Sequence, residues 1–332
     1  MMFSEKTNKL IKSTIKGRKH IKFTVGVLRE NEMTFKLFDI NGEIPYKSYY
    51  YEIGSITKVF TTSLFAKYLQ SGEMNLADSI TKYIPELEDN RYYPTLKRLA
   101  THTAGYPARY PISKNEIFTI FRKQLMQKQV IIRDYLKLDY EKMIRLTSEK
   151  KLQDKDYKWQ YANFGTSLLG VAISNVAGIS FWDDMTVFLT QDLGLKESFL
   201  GTNLPEILTG YDLKDRAVGN WEWHKEDLLA PAGCITSTAA DLLKFAKLNI
   251  EQCPSYLGLC HKLYAKAKYS NMGLGWWIDE KNPNICYHGG NTDGFASMLA
   301  FDKRKKTAVV LLANIYYYTE REKLFADILE NL

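Results

Sequence analysis

Residues 51–60 read YEIGSITKVF, and the change of pattern inside this stretch organises the rest of the chain. The run SYYYEIG is rich in β-formers and stops at Gly54. From Ser55 to about Gln70, Ile56, Val59, Phe60, Leu64, Phe65, Tyr68 and Leu69 recur at helical spacing, and Ser71-Gly72 ends the segment. A strand therefore runs straight into a helix, with a serine at the junction. Such a serine meets the free N–H groups and positive dipole end of the helix, which favour developing negative charge.

Lys58 follows three residues later, completing an S-x-x-K pattern. Residues i and i+3 share a helix face, so the Lys58 amine reaches the Ser55 hydroxyl. An apolar helix around it desolvates the lysine and makes a neutral amine accessible near pH 7. Spacing alone does not select this pair. The same pattern occurs at Ser13/Lys16 in a basic segment, at Ser79/Lys82 as a helix cap with a surface lysine, and at Ser148/Lys151 in a charged run. Only Ser55 has a strand before it to fix its position.

Working outward, IKFTVGVLR (21–29) and MTFKLFDI (33–40) flank ENE and read as a hairpin. Helical signals dominate between about 80 and 210. After about 225 short β-rich segments return as LGWWI, ICYHG, FASMLAF and TAVVLLA, and TEREKLFADILENL closes the chain as an amphipathic helix. This order fits a sheet built from both ends of the chain with a helical insertion. The expected division is 1–80 with 222–332 as a discontinuous sheet domain and 81–221 as a helical domain, the site lying between them.

The chain has 332 residues, 45% of them hydrophobic, enough for a large core. Its net charge of +7 comes mostly from Lys and Arg interleaved with Asp and Glu, and no nucleic-acid reading module accompanies it. The exception is the first twenty residues, where Lys6, Lys9, Lys12, Lys16, Arg18 and Lys19 face Glu5 alone. Leu10, Ile11 and Ile15 recur there at helical spacing, as in a helix lying on the protein's own sheet. No secretory signal pattern and no run of eighteen apolar residues is seen, so a cytoplasmic location without a transmembrane segment is expected. Cys234, Cys253, Cys260 and Cys286 lack a C-x-x-C pair and read as reduced thiols.

Two further motifs join Ser55. Tyr161-Ala162-Asn163 opens the helical segment FGTSLLGVAISNVAG, whereas the decoy Tyr269-Ser270-Asn271 precedes a strand. A tyrosine in positive surroundings shuttles protons, and an asparagine amide orients a lysine and a substrate carbonyl. His288-Gly289-Gly290 ends the ICYHGG run, and glycines on a strand admit a close backbone or ligand.

The order S-x-x-K, Y-x-N, H-x-G resembles the serine β-lactamase and penicillin-binding-protein superfamily, in its class C, DD-peptidase and family VIII esterase branch. LATHTAGYP (99–107), YANFGTSLLGVAISNVAG (161–178), PAGCITSTAADLLKFAK (231–247) and YHGGNTDGFASMLAFDKRKKTAVVLLAN (287–314) are similar to that family too. The resemblance implies an α/β (α+β) fold, a mostly antiparallel sheet flanked by helices with an inserted helical domain. It implies Ser55 as acylated nucleophile, Lys58 as proton acceptor and Tyr161 as proton shuttle. Asn163 would bind Lys58 and the substrate amide, and His288, Gly289, Gly290 and Asn291 would line the substrate. The backbone N–H groups of Ser55 and Asn291 would form the oxyanion hole. His102 matches a family position and reads as structural. Neither metal nor cofactor is implied; the partner would be a small ester, amide or β-lactam, with the oligomeric state left open. A non-catalytic acyl-peptide sensor or scaffold is the alternative.

Penicillin-recognising members often carry Lys-Thr-Gly where this chain has His288-Gly289-Gly290. A histidine is mostly neutral at pH 7 and Gly289 has no hydroxyl, so weak β-lactam turnover at best is expected unless Thr292 substitutes. Trp221, Trp223, Trp276 and Trp277 are candidates for either pocket or core.

Overall fold

The computed structural model describes residues 3–87, 90–107, 138–204, 206–316 and 321–332. The part of the expected helical middle at 108–137 lies outside the described residues.

The first strands form as their patterning dictates. β1 (Phe23–Arg29) and β2 (Glu32–Asp39) are joined by Glu30 and Asn31, with φ of 53° and 67°. Two consecutive left-handed residues match the right-handed twist of the strands they connect. β3 (Gly42–Ile44) follows, and β4 (Tyr51–Glu52) leads to the junction. From the other end come β7 (Ala265–Lys266), β8 (Asn271–Met272), β9 (Trp277–Ile278), β10 (Ile285–Asn291), β11 (Ala296–Asp302) and β12 (Thr307–Ala313). Among the described residues these make a nine-stranded sheet of order β3-β2-β1-β12-β11-β10-β9-β8-β7. β1 pairs antiparallel with β12, Phe23 opposite Ala313, so the two ends of the chain close one sheet.

Both faces of the sheet are covered, which is why TAVVLLA is apolar without alternation. On one face α1 (Glu5–Ile15) and α8 (Arg321–Asn331) bury Ile11, Ile15, Leu324 and Ile328 against Val25, Met298, Val309 and Leu311. The basic N-terminal segment thus lays its apolar stripe on its own sheet. On the other face α2 (Thr57–Ser71) and α7 (Ala239–Glu251) pack against Leu28, Leu299, Val310 and Leu312. α3 (Leu96–Ala100), α4 (Tyr140–Glu149), α5 (Asn163–Ala177) and α6 (Phe181–Val187) extend this second layer.

α2 is buried continuously from Thr57 to Ala66. Its buried hydroxyls return hydrogen bonds to backbone carbonyls: Thr61 to Pro231 (2.7 Å), Thr62 to Leu274 (2.9 Å) and Ser63 to Val59 (2.7 Å). A polar side chain inside a core demands such a partner.

The structure adds a feature that the sequence reading lacked. β5 (Phe199–Leu200) falls inside the stretch read as helical, and with β6 (Ile235–Ser237) and β4 it forms a small second sheet of order β4-β6-β5. Strands of two or three residues are too short to carry an alternation signal. No single helix among the described residues is long and apolar enough to cross a membrane.

Candidate active site

The junction at Gly54 is built by contacts from two directions. β4 pairs with β6, and Ile53 N–H donates to Ile235 O (3.0 Å). From the large sheet, Ser297 Oγ donates to Ile53 O (2.8 Å). Gly54 has φ of 50°, and a Cβ there would lie 2.7 Å from Asn291 O. Only glycine meets both demands. Ser55 then sits in a single 3₁₀ turn, Gly54–Ile56, and α2 proper begins at Thr57. The serine is half-buried, one short turn before the α-helix that its sequence position suggested it would start.

Lys58 lies in the first turn of α2, 1% exposed. Its Nζ is 3.0 Å from Ser55 Oγ and donates to Ala232 O at 2.6 Å. It also lies over the Tyr161 ring, 4.9 Å from the centroid. Among the described residues no carboxylate offsets the burial, and desolvation drives its pKa well below 10.5. Ala232 reaches the lysine because Gly170 of α5 lets the Ala230–Ala232 turn approach; a Cβ on Gly170 would lie 2.2 Å from Pro231. The carbonyl of Ala232, and not the expected Asn163 amide, is thus the second partner of Lys58.

Tyr161 is half-buried, and its hydroxyl interacts with Ser55. Burial pushes the phenol well above its usual pKa, and the hydrogen bond to Ser55 only partly opposes this. The phenol is therefore neutral. Asn163 opens α5, but its Oδ1 is buried without a hydrogen-bond partner, so it does not accept from Lys58. The expected Lys58–Asn163 hydrogen bond is therefore not formed; the hydrogen bonds of Lys58 Nζ go to Ser55 Oγ and Ala232 O.

Along β10, side chains alternate. His288 and Gly290 face the α2 side; Gly289 and Asn291 face α8. A Cβ on Gly290 would lie 2.0 Å from Ile53 O, so this glycine lets β10 close on the junction. Thr292 N–H donates to Phe295 O (3.0 Å), which places the bonded pairs of the β10–β11 ladder at 292, 290 and 288. Asn291 N–H therefore points away from β11, along an edge that β9 leaves uncovered, since β9 pairs only with Cys286 and Tyr287.

His288 is 1% exposed, its pKa lowered to about 3, first by burial and then by Lys58. Its Nδ1–H donates to Gly289 O (2.7 Å), leaving the Nε2 lone pair buried and unpartnered. Trp277 stacks on it at 5.0 Å and 14°. His102 lies on the far side of Tyr161, ring centroids 4.8 Å apart, and its Nδ1 accepts from Ala162 N–H (3.3 Å). Its pKa is likewise lowered to about 3 by burial. Its structural reading fits that bond, yet it also borders the tyrosine directly.

The structure thus gathers Ser55, Lys58, Tyr161, His288 and the Asn291 backbone in one place. Gly289 shares the strand but faces the opposite side. The competing serines stay apart: Ser79 caps a turn beside a Lys82–Asp78 ion pair (2.7 Å), and Ser148 Oγ meets Tyr93 OH at 3.2 Å. Tyr269 of the decoy is 76% exposed. Trp276 is core, whereas Trp277 belongs to the site. Trp277 was named from the sequence as a candidate for pocket or core, whereas Ala232 and Arg321 were not singled out. A backbone carbonyl carries no sequence signal, and the side chains of Trp277 and Arg321 join the site only through sheet pairing and helix packing.

This arrangement can be set beside known proteins. The chain is 27% identical over 308 residues to a β-lactamase of Lysobacter lactamgenus, covering 80% of this chain and 73% of that one. It is 24% identical over 281 residues to Protein flp of Staphylococcus aureus strain MW2, covering 80% of this chain and 53% of flp, so it spans about half the length of that relative. The solved structure of a β-lactamase/D-alanine carboxypeptidase from Pseudomonas syringae superposes with TM-score 0.78 at 22% identity, over 98% of this chain and 97% of that one. The fold shared with it is the helix-flanked antiparallel sheet expected from the sequence. The profile of the family described as Beta-lactamase matches residues 25–331, and the chain belongs to that family.

Proposed function

We propose that the protein hydrolyses an ester or amide through an acyl-enzyme on Ser55. The observation that carries this reading is the buried Lys58 amine 3.0 Å from Ser55 Oγ, its pKa held down by desolvation. A neutral amine takes the hydroxyl proton as Oγ attacks the carbonyl. Ala232 O engages one N–H of Lys58 and so helps fix the amine beside Ser55. The tetrahedral oxyanion sits between the N–H groups of Ser55 and Asn291. Tyr161, a neutral phenol, passes its proton to the leaving group and is reprotonated from Lys58, which holds the Ser55 proton; in deacylation the attacking water gives a proton to these groups and Ser55 Oγ regains one from them. Asn163 Oδ1 and the lone pair of His288 Nε2 are unpaired acceptors that the N–H of an amide substrate can satisfy, whereas a simple ester offers no such donor.

His288 supplies no fixed charge for a penicillin carboxylate, which supports esters over β-lactams. A second reading, a peptidase acting on D-amino-acid peptides, is favoured by the uncovered β10 edge, where an extended backbone can pair. The division into 1–80 with 222–332 and 81–221 remains part of this proposal.

Mass spectrometry after treatment with a fluorophosphonate tests the nucleophile: one adduct on Ser55 is expected, absent in Ser55→Ala. No adduct would favour a sensor or scaffold. Turnover of p-nitrophenyl butyrate, a D-Ala-D-Ala peptide and a chromogenic cephalosporin then ranks the leaving groups, with the ester expected first.

A further inference from the structure

Arg321, the first residue of α8, reaches across the back of β10. Its side chain is 11% exposed. Nη1 donates to Gly290 O (3.1 Å) and, less closely, to Ser297 O (3.4 Å), and it also donates to Asn291 Oδ1. Nη2 donates to Glu322 Oε1 (2.9 Å), which helps aim the guanidinium. Gly289 leaves the passage open: a Cβ there would already touch Cζ and Nη2 at 3.4 Å, and a branched side chain would push the guanidinium aside.

Gly290 O and Asn291 N–H belong to the same peptide group. A charged donor on the oxygen draws electron density from the nitrogen and makes its N–H a stronger donor, because hydrogen bonds in series polarise one another and charge-assisted bonds are about twice as strong as neutral ones. We propose that Arg321 is a positioning residue that strengthens the oxyanion donor of Asn291 from the opposite face of the sheet. This rests on the reading in which Asn291 N–H faces the reacting carbonyl. It also explains why glycine stands at 289: the side chain missing there is the space the guanidinium uses.

The test uses the full chain and three variants, Arg321→Gln, Arg321→Lys and Gly289→Val, each checked for folding by circular dichroism. Two quantities are read: the second-order rate of fluorophosphonate labelling of Ser55, and the infrared carbonyl stretch of the acyl-enzyme trapped by rapid mixing with carbonyl-labelled p-nitrophenyl butyrate. R321Q is expected to label about tenfold more slowly, less than the loss of a whole donor, and to move the stretch to higher frequency. R321K should fall between it and the native protein. G289V, which keeps the arginine but displaces it, should follow R321Q. A purely structural role leaves the folded variants with the native rate and frequency, and that result overturns the inference alone. Absence of any adduct on native Ser55 overturns the hydrolase reading, and this inference with it.

Discussion

A lysine with an exposed ammonium at position 58 would be a poor base; the fold makes it a good one by surrounding it with apolar atoms and a single carbonyl. The sign is fixed. A lowered pKa means the neutral amine is present above that pKa, so labelling of Ser55 should rise with pH through the Lys58 titration and then level off. The midpoint should lie well below 10.5, the ordinary lysine value. A rise centred near that ordinary value would remove Lys58 as the base. Lys58→Arg keeps a donor but never offers a lone pair near neutral pH, so labelling should drop by about 10²–10⁴. Tyr161→Phe should cost a similar factor in ester turnover if the phenol carries the leaving-group proton, yet slow fluorophosphonate labelling less, because fluoride needs less help to leave. Equal losses in both assays would reassign the phenol to positioning. At this scale the sequence was informative: a serine after a strand, followed by a lysine on the same face, selected one pair among competitors that the structure places on caps and surfaces. The bond from Lys58 to Ala232 O was not legible, because a backbone carbonyl carries no residue-type signal.

At the scale of elements, the site depends on β10 closing against the Gly54 junction, and two adjacent glycines do different jobs there. Gly290 faces the junction, where a Cβ would stand 2.0 Å from Ile53 O and 2.5 Å from Ser297 Oγ. Gly290→Ala should therefore force the strand outward. A loss of roughly 1–3 kcal/mol in urea unfolding is expected, as for other overpacked positions, together with a large fall in Ser55 labelling. Gly289→Ala meets only ordinary contacts at 3.4 Å and should stay within about 0.5 kcal/mol of the native protein. If the two alanine variants were equally stable and equally reactive, the close approach of β10 to Ile53 would be wrong. The glycine pair was legible as a place of close approach. Which glycine faces which side was not, because that depends on register and on which helices cover each face. The small β4-β6-β5 sheet escaped notice for a related reason: its strands span two or three residues and are defined by long-range pairing.

For the molecule as a whole, the order of β-rich ends around a helical middle foretold a sheet closed by both ends, and the β1–β12 pairing is that closure. The cost of burying polar groups in so continuous a core is less visible in sequence. His102, His261 and His288 are all buried, on different elements, and burial lowers each pKa to about 3 from 6.5. Between those limits the unfolded chain binds a proton at each of these positions and the folded chain does not. Stability is therefore fully present above about pH 6.5 and is lost as pH falls towards 3, with a slope of about 1.4 kcal/mol per pH unit for each histidine. His261 allows a clean test because it lies away from Ser55, its Nε2 paired with Asn249 Oδ1 at 3.0 Å. Urea unfolding at pH 7 and pH 5 should show a marked loss at the lower value. Proton uptake on unfolding at pH 5 should fall by about one in His261→Phe relative to the native chain, whatever that variant's absolute stability. Unchanged uptake in the variant would mean that this histidine already carries its proton in the folded core, and the burial argument would fail for it.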